Sequence, residues 1–259
     1  MHLLKYIVIL FSISLFAQKR VEAQFIEKNP LKADQIVNVN QFDTQYLIND
    51  NVFELSKLIG SIEYSNVQLG NITSANAFNP LKINLFYKDF NTVVILDNRL
   101  AEITKVDFNS VSPFRMVSHI STGNDNTIWL FNQNTQQIEL FDYLTLKSRI
   151  STLPINGDIL DLKSDYNFCW VMTKDHILLY NYIGSLIEKS PNEGYTQFSI
   201  SRENIVLLRD NQLFFKSKNS KEIIPLELPE LLINQFLVTN ETLYIYDGEF
   251  LHQYHLKLK

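Results

Sequence analysis

The stretch ETLYIYDGEFLHQYHLKLK (Glu241–Lys259) decides how this sequence is interpreted. It predicts two strands joined by a tight turn at Asp247-Gly248. A final strand leaves a row of unpaired N–H and C=O groups along one edge, and an open edge of this kind invites aggregation. We therefore expect another part of the chain to cover the edge.

The same unit occurs six times along the chain. Each copy has a polar residue, a short strand, a turn centred on Asp or Asn, and a second strand. The turn residues are spaced by 47, 37, 41, 35 and 37 positions. The copies are DTQYLINDNVFEL (Asp43–Leu55), NTVVILDNRLAEI (Asn91–Ile103), NTIWLFNQNTQQIELF (Asn126–Phe141), NFCWVMTKDHILLY (Asn167–Tyr180), ENIVLLRDNQLFFK (Glu203–Lys216) and ETLYIYDGEFLHQY (Glu241–Tyr254), with Asp50, Asp97, Asn134, Asp175, Asp210 and Asp247 at the turns.

A hairpin repeat of about 40 residues is typical of a β-propeller, in which each blade is a four-stranded antiparallel sheet. The strand before each turn is almost wholly apolar, as expected for a strand buried between neighbouring blades. The sequence thus predicts an all-β fold, a six-bladed β-propeller. The other strands flank the copies: inner ones at Lys82–Tyr87, Phe114–Ile120, Ile159–Ser164, Tyr195–Ile200 and Ile233–Val238, and outer ones at Ser61–Leu69, Ser148–Ile155 and Lys221–Leu228.

The sixth copy has no outer strand after it. We expect a segment near the N-terminus, either QFIEKN (Gln24–Asn29) or DQIVNVN (Asp34–Asn40), to lie antiparallel to Leu251–Leu258 and close the ring. A pair of β-sandwich domains is the alternative fold. It would explain the alternating strands but not the repeat.

The first residues resemble an export signal. A short basic start precedes an apolar run from Tyr6 to Ala17, which is too short to span a bilayer, and cleavage is expected after Ala23 or Ala17. We therefore predict a signal peptide at residues 1–23 and a single propeller domain at 24–259. The only cysteine, Cys169, lies far from the apolar run, which argues against lipidation and allows no internal disulfide. These features favour a bacterial periplasm.

Composition and motifs exclude several classes of function. The net charge is −5 without a Lys/Arg-rich run, so no nucleic-acid partner is expected. His252 and His255 are three apart in a predicted strand and point to opposite faces, and His119 and His176 lie in different copies, so no metal site is predicted. The sequence contains no phosphate loop and no nucleophile motif. We expect no cofactor, no catalytic residues and no enzymatic activity.

One loop interrupts the repeat. NITSANAFNP (Asn71–Pro80) is the longest non-periodic stretch, and aromatic residues follow it closely. Repeat proteins carry binding insertions in such loops, so we predict that this region contacts a protein partner. The alternative is that Phe86 belongs to the core and that the loop only bridges two blades. The predicted contact residues are Asn76, Phe78, Tyr87, Lys88 and Phe90.

The stretch FNPLKINLFYKDFNTVVILDNRLAEI (Phe78–Ile103), behind an export signal and within a small propeller, resembles exported proteins of Bacteroidota. It resembles the periplasmic plug subunit of the type IX secretion translocon. The resemblance implies a non-enzymatic protein, peripheral to the outer membrane, that binds the periplasmic mouth of an outer-membrane β-barrel and seals it. It implies no membrane span after removal of the signal. A sensor propeller for a sugar or peptide, and a propeller hydrolase or lyase, are the alternatives.

Overall fold

The computed structural model describes residues 21–218, 220 and 222–258, and only the backbone of Leu258. These residues form twenty-four strands in six four-stranded antiparallel sheets. The innermost strands of neighbouring sheets contact one another in a closed circuit, so the sheets are the blades of one ring. The prediction of an all-β, six-bladed β-propeller is confirmed.

Five blades are built from consecutive strands, ordered from the axis outward. Blade 1 contains β2 (Gln35–Val39), β3 (Gln45–Asn49), β4 (Val52–Ser56) and β5 (Ser61–Tyr64), and blade 2 contains β6 (Ser74–Asn76), β7 (Ile83–Tyr87), β8 (Thr92–Leu96) and β9 (Glu102–Asp107). Blade 3 contains β10 (Val117–Thr122), β11 (Thr127–Asn132), β12 (Gln137–Asp142) and β13 (Lys147–Ser151). Blade 4 contains β14 (Ile159–Ser164), β15 (Phe168–Thr173), β16 (His176–Asn181) and β17 (Leu186–Pro191), and blade 5 contains β18 (Gln197–Ser201), β19 (Asn204–Arg209), β20 (Gln212–Lys216) and β21 (Ile223–Pro225).

Blade 6 joins the two ends of the described chain. Its inner three strands are β22 (Gln235–Thr239), β23 (Thr242–Tyr246) and β24 (Phe250–Leu258), and its outermost strand is β1 (Val21–Pro30). β1 runs antiparallel to β24, with one register shift between Phe25 and Glu27. Of the two predicted closing segments, Gln24–Asn29 is therefore the correct one. Asp34–Asn40 instead contains the innermost strand of blade 1.

A glutamine reinforces the closure near the axis. The Gln235 side chain accepts a hydrogen bond from the Ile36 N–H at 2.8 Å and donates one to the Asp34 carbonyl at 2.8 Å. Both groups of its amide thus bind backbone of blade 1. The first and last blades are held together at their inner strands as well as by β1.

Blade 2 departs from the sequence prediction. Lys82–Tyr87 was expected to be an inner strand, but β7 is the second strand, and the inner strand β6 lies inside the supposed loop. The turn at Asp97 consequently joins the third and fourth strands, while a 3₁₀ turn at Lys88–Phe90 joins the second and third. The error has a physical cause: β7 and β8 are both buried along their whole length, and β6 is only three residues of small side chains.

The hydrophobic core is divided among the six seams between blades. Each seam holds its own cluster, and the cluster between blades 2 and 3 shows the pattern: Phe86 and Val93 from blade 2 pack with Ile128 and Leu130 from blade 3. A strand in the middle of a blade therefore faces apolar neighbours on both sides, which removes the polar alternation of a half-exposed strand. Cys169 is fully buried in such a strand, and burial raises the pKa of its thiol.

Most of the predicted signal peptide lies outside the described residues. Of the 1–23 segment, Val21–Ala23 is described and forms the start of β1. Val21 is buried and packs with Leu226 and Leu256. Cleavage after Ala17 would retain these three residues in the blade, whereas cleavage after Ala23 would remove them. The position of the cleavage site stays a prediction.

Candidate interaction surfaces

The propeller has two faces, which differ in the loops that form them. Because every blade is an antiparallel meander, the connections between its first and second strands and between its third and fourth strands lie at one end, here called face 1. The connections between second and third strands, and those from one blade to the next, lie at the opposite end, here called face 2. Every loop residue can be assigned to a face in this way.

The five predicted contact residues do not form one site. Asn76 and Phe78 lie at the end of β6 and in the loop after it, on face 1. Lys88 and Phe90 lie in the 3₁₀ turn between β7 and β8, on face 2. Tyr87 is fully buried. Closeness in sequence misled the prediction, because the intervening strand β7 crosses the whole height of the blade.

The burial of Tyr87 corrects its assignment as a partner contact. Its side chain packs in the core between blades 1 and 2, and its hydroxyl is buried with no hydrogen-bond partner among the described atoms. Burial raises the pKa of this phenol, and nearby Tyr64 and Glu102 raise it further. Tyr87 is therefore a structural residue of the seam. Phe86 is also core, as the alternative interpretation proposed.

On face 1, Asn76 fixes the loop that presents Phe78. The Asn76 amide donates a hydrogen bond to the Ser121 hydroxyl of blade 3 at 3.2 Å, and its oxygen accepts one from the Phe78 N–H at 3.0 Å. The Phe78 ring is 44% exposed and meets the ring of Tyr166 edge-on, with centroids 5.0 Å apart. Since Tyr166 belongs to blade 4, this pair reaches past blade 3 and lies at the inner rim of the ring.

On face 2, Phe90 lies over the connection between blades 1 and 2. It is 48% exposed, and its ring would be 3.2 Å from a Cβ placed on Gly70. Gly70 also has a φ of +67°, so both the close ring and the backbone favour glycine there. The Lys88 N–H donates to the Thr73 hydroxyl at 3.1 Å, and the Lys88 side chain is exposed. The turn is thus held firmly and presents both side chains to solvent.

Face 1 carries a set of exposed apolar side chains that the sequence pattern did not indicate. Ten large apolar residues are exposed in the described loops of this face, compared with six in those of face 2. Several lie in pairs at hairpin tips, and hydrophobic periodicity in the sequence does not distinguish such a tip from any other loop. The ten are Phe42, Leu58, Ile59, Phe78, Leu81, Leu144, Leu146, Tyr166, Tyr182 and Ile183, and the six are Val67, Phe90, Phe114, Met116, Leu153 and Leu232.

The two faces also differ in charge. The described loops of face 2 carry eleven acidic and four basic residues, whereas those of face 1 carry seven acidic and five basic residues. Face 2 is therefore clearly acidic and face 1 is close to neutral. The face 2 residues are Asp34, Asp50, Asp89, Asp158, Asp175, Glu193, Asp210, Glu227, Glu230, Asp247, Glu249, Lys32, Lys88, Arg115 and Lys174, and the face 1 residues are Asp43, Asp97, Asp125, Asp165, Glu203, Glu222, Glu241, Lys57, Lys82, Arg99, Arg202 and Lys218.

A few polar side chains lie on the inner strands of blades 3 and 4. Asp161 and Lys163 form an ion pair at 3.2 Å, and His119 is close enough to both for their charges to act on it. Burial lowers the pKa of His119, which the Asp161 carboxylate partly offsets. The Ser118 hydroxyl lies 2.9 Å from His119 Nδ1. This cluster is the most polar feature of the inner strands.

Within residues 21–218, 220 and 222–258, no group of three or more His, Cys, Asp or Glu side chains is arranged to hold a metal ion. The same residues include no helix of the length and apolarity that a membrane span requires. The carboxylates of Glu139 and Asp247 each accept three hydrogen bonds from structural partners.

The fold defines the class, a six-bladed β-propeller, and comparisons with known proteins agree. No family model and no curated protein matches the sequence. Among solved structures, streptogramin B lyase is similar, with a TM-score of 0.62 at 12% identity over 92% of this chain and 88% of that one. A chain of the mitotic checkpoint complex has a TM-score of 0.60 at 10% identity over 98% of both chains.

A third similar structure is PorZ, a component of the type-IX secretion system of Porphyromonas gingivalis. Its TM-score is 0.48 at 10% identity, over 90% of this chain and 39% of PorZ. Identities as low as these indicate a shared fold and no more, and this last score is too low to support any argument about function.

Proposed function

We propose that this protein is a non-enzymatic protein-interaction module of the bacterial periplasm, exported by an N-terminal signal peptide and docked on an outer-membrane protein complex. The observation that carries the proposal is the set of exposed apolar side chains on the two faces of the propeller, ten on face 1 and six on face 2. Apolar side chains concentrated at one end of a rigid scaffold are typical of a binding surface. A closed ring also offers a broad face with few free strand edges.

The particular complex we propose is the type IX secretion translocon, with this protein as the plug of its periplasmic mouth. Support comes from the resemblance of Phe78–Ile103, which spans the β6–β7 loop, β7, β8 and the start of β9. A rigid disc with an apolar face suits the sealing of an aqueous pore. Such a contact should bury on the order of 1,000 Å² or more.

A ligand-binding or sensor propeller is the second candidate. The ring pair of Phe78 and Tyr166 at the inner rim, and the charged side chains of Asp161 and Lys163 on the inner strands, favour it. Aromatic and polar groups together are the usual lining of a sugar or peptide site. A hydrolase or lyase is less well supported, since His119 and Asp161 are the only histidine and acid of the described inner strands, and Asp161 is ion-paired with Lys163.

The test is purification of the tagged full-length protein from native membranes in mild detergent. We expect an outer-membrane β-barrel to be recovered in stoichiometric amount. Recovery of the propeller alone would contradict the proposal. Binding of a defined oligosaccharide or peptide to that lone propeller would favour the sensor alternative.

Two matched variants locate the surface. Phe78→Ala and Phe90→Ala remove rings of similar exposure from opposite faces of the same blade. Loss of the partner in only one of them identifies the face that binds. Phe86→Ala, in the core, serves as the control for general loss of folding. The melting temperature should fall most for Phe86→Ala, by a few degrees for Phe78→Ala, which loses its ring contact with Tyr166, and little for Phe90→Ala.

A further inference from the structure

We propose that a cavity between blades 5 and 6, on face 2, binds a basic peptide segment through an aliphatic or aromatic anchor. This inference goes beyond the proposed function, because it concerns a separate concave site and does not depend on which complex the propeller joins. Three observations support it: the aliphatic lining of the cavity, the hydrogen bonds that fix its walls, and the charge of the loops around it.

The cavity is bounded by residues 226–233, here called the arch, and by the turn between β19 and β20. The arch leads from blade 5 to blade 6. Pro225 and Pro229 have no N–H group to donate to a strand ladder. The strand β21 accordingly ends after three residues, and the chain crosses the end of the seam as a loop.

Hydrogen bonds tie both ends of the arch to blade 5. At one end, the Leu226 N–H donates to the Leu213 carbonyl at 2.9 Å. At the other end, the Asn211 side chain donates to the Leu231 carbonyl at 3.0 Å and accepts from the Ile233 N–H at 2.9 Å. Because the arch is held at both ends, the cavity is formed before a ligand arrives, which lowers the entropic cost of binding.

The cavity has a volume of about 560 Å³, within the range of known ligand sites, and its lining is mostly aliphatic. Leu213, Leu226 and Ile233 are buried lining residues, whereas Leu232 is 60% exposed. An apolar side chain that enters the cavity would therefore contact aliphatic groups from the solvent inward. Removal of this apolar surface from water should favour binding.

The loops around the cavity are acidic. In blades 5 and 6, the described face 2 loops at 210–211, 226–234 and 247–249 contain five acidic residues and no lysine or arginine. Arg209, which precedes the first of these loops, lies in the seam with blade 4, over the Phe214 ring at 4.6 Å. The five acidic residues are Asp210, Glu227, Glu230, Asp247 and Glu249.

The arrangement of these charges favours a peptide over a small molecule. Glu230 lines the cavity, but Asp210 in blade 5 and Glu249 in blade 6 are not part of the lining. A compact ligand within the cavity would meet only the first of these carboxylates. An extended segment with cationic side chains on either side of an apolar anchor can meet the cavity and its acidic surroundings together.

The test is isothermal titration calorimetry of the full-length protein with synthetic hexapeptides. The probe alternates three lysines with two leucines and a phenylalanine. One control peptide has glutamate in place of each lysine, and the other has serine in place of each apolar residue. We expect only the probe to bind, with a negative heat-capacity change from apolar burial and an affinity that falls as the salt concentration rises.

Two pairs of variants locate the site. Glu230→Lys reverses a charge in the cavity lining, and Asp158→Lys reverses an exposed carboxylate elsewhere on face 2. Leu232→Ser removes an exposed leucine of the cavity, and Leu153→Ser removes one from the connection between blades 3 and 4. We expect Glu230→Lys to weaken binding of the probe about tenfold and Leu232→Ser several-fold, while both controls stay within about twofold of the native protein.

Equal affinity for the lysine and glutamate peptides would overturn the proposal, because charge would then not select the ligand. Binding of the serine peptide as tight as that of the probe would also overturn it, since no anchor would be needed. Equal losses in a variant and its control, or no binding of the probe at all, would have the same meaning. All four substituted side chains are exposed, so the melting temperature should change little.

The same measurements distinguish this site from the proposed docking on a complex. Recovery of an outer-membrane barrel with the tagged protein, but no binding of the probe, would leave the interaction module without this site. Probe binding that Glu230→Lys weakens, together with recovery of the propeller alone, would establish the site and favour the sensor alternative.

Discussion

Blades 3 and 6 have the same strand order but hold their outermost strands in different ways. In blade 3, a four-residue loop ties β13 to β12, and the Arg149 guanidinium bonds the Asp142 carboxylate at 2.6 Å across the pair. In blade 6, nearly the whole chain separates β1 from β24. There the ladder is longer, ten residues against five, although most of β1 is exposed.

The difference shows how a ring can be closed without a covalent hairpin. A short loop makes strand pairing nearly free of closure entropy, so a few polar contacts suffice to fix an outer strand. A strand from the distant end of the chain must obtain its binding energy from the length of the ladder and from a small number of side chains. The following predictions test whether blades 3 and 6 hold their outermost strands in these two different ways.

The largest effect should come from removal of the closing strand. Deletion of residues 1–30 takes away β1 and the buried Val21, and leaves the edge of β24 bare. We expect the free energy of unfolding to fall by several kcal/mol, and each kcal/mol corresponds to about 2–4 °C of Tm for a domain of this size. We also expect the deleted protein to self-associate. Calorimetry and size-exclusion chromatography measure both.

Deletion of residues 1–20 is the matched control, because it leaves β1 complete. It should fold and remain monomeric. If the longer deletion were equally stable and monomeric, the ring would not depend on β1, and the comparison between the two blades would lose its basis.

The next effect concerns the buried ion pair of blade 3. Glu139 Oε2 accepts a hydrogen bond from Arg115 Nε at 2.8 Å, while Asn132 and Ser148 donate to the same carboxylate. Glu139→Ala leaves a buried guanidinium unpaired, which costs about 3–5 kcal/mol. Thermal unfolding should show a correspondingly lower Tm.

Two variants sharpen this result. Glu54→Ala changes a half-buried glutamate in the equivalent strand of blade 1 and should cost far less. The double variant Arg115→Met/Glu139→Met removes both charges and should recover much of the loss. If Glu139→Ala were as stable as Glu54→Ala, the buried ion pair between Arg115 and Glu139 would contribute little to the stability of blade 3.

A smaller effect depends on pH and lies in blade 6. Burial alone would raise the pKa of Asp247, but the bond to His252 at 2.7 Å and two backbone N–H donors lower the pKa to about 2. Because the folded pKa is below the ordinary value of 3.8, this carboxylate stabilises the fold fully above pH 3.8 and loses that effect as the pH falls through about 2. Asp247→Asn should therefore lower the Tm near neutral pH.

The difference in Tm between the native protein and Asp247→Asn should shrink as the pH is lowered through this range. His252→Ala provides the partner control, since it removes the bond and keeps the carboxylate. A Tm difference that stays constant down to about pH 2 would show that the Asp247 charge does not contribute to the turn.

The fold could be predicted because its information is local and repeated. The copies before Asp50, Asn134, Asp175, Asp210 and Asp247 are each a buried strand and a turn, and the structure has a hairpin at every one. Blade 2 could not be predicted in the same way. Its inner strand, Ser74–Asn76, has no apolar pattern, and its second and third strands are equally buried, so the pattern is displaced by one strand.

The candidate interaction surfaces were harder to predict than the fold. Phe78 and Phe90 are twelve residues apart in sequence but belong to opposite faces, because the strand between them crosses the blade. Exposure of Leu58 and Ile59 also depends on a hairpin tip whose position only the assembled blade defines. Face assignment follows from strand order, which a single sequence gives only after every strand has been placed correctly.

The smallest effect tests a single ring on the closing strand. Phe25 in β1 is half exposed, yet its ring meets that of Tyr254 in β24 edge-on, with centroids 5.6 Å apart. An aromatic pair of this geometry contributes about 1 kcal/mol beyond its buried area, so Phe25→Ala should lower the Tm by a few degrees. Ile26→Ala, at a neighbouring residue of similar exposure inside the register shift, should lower it less. Equal shifts for the two variants would mean that the ladder alone, without side-chain contacts, holds β1 in place.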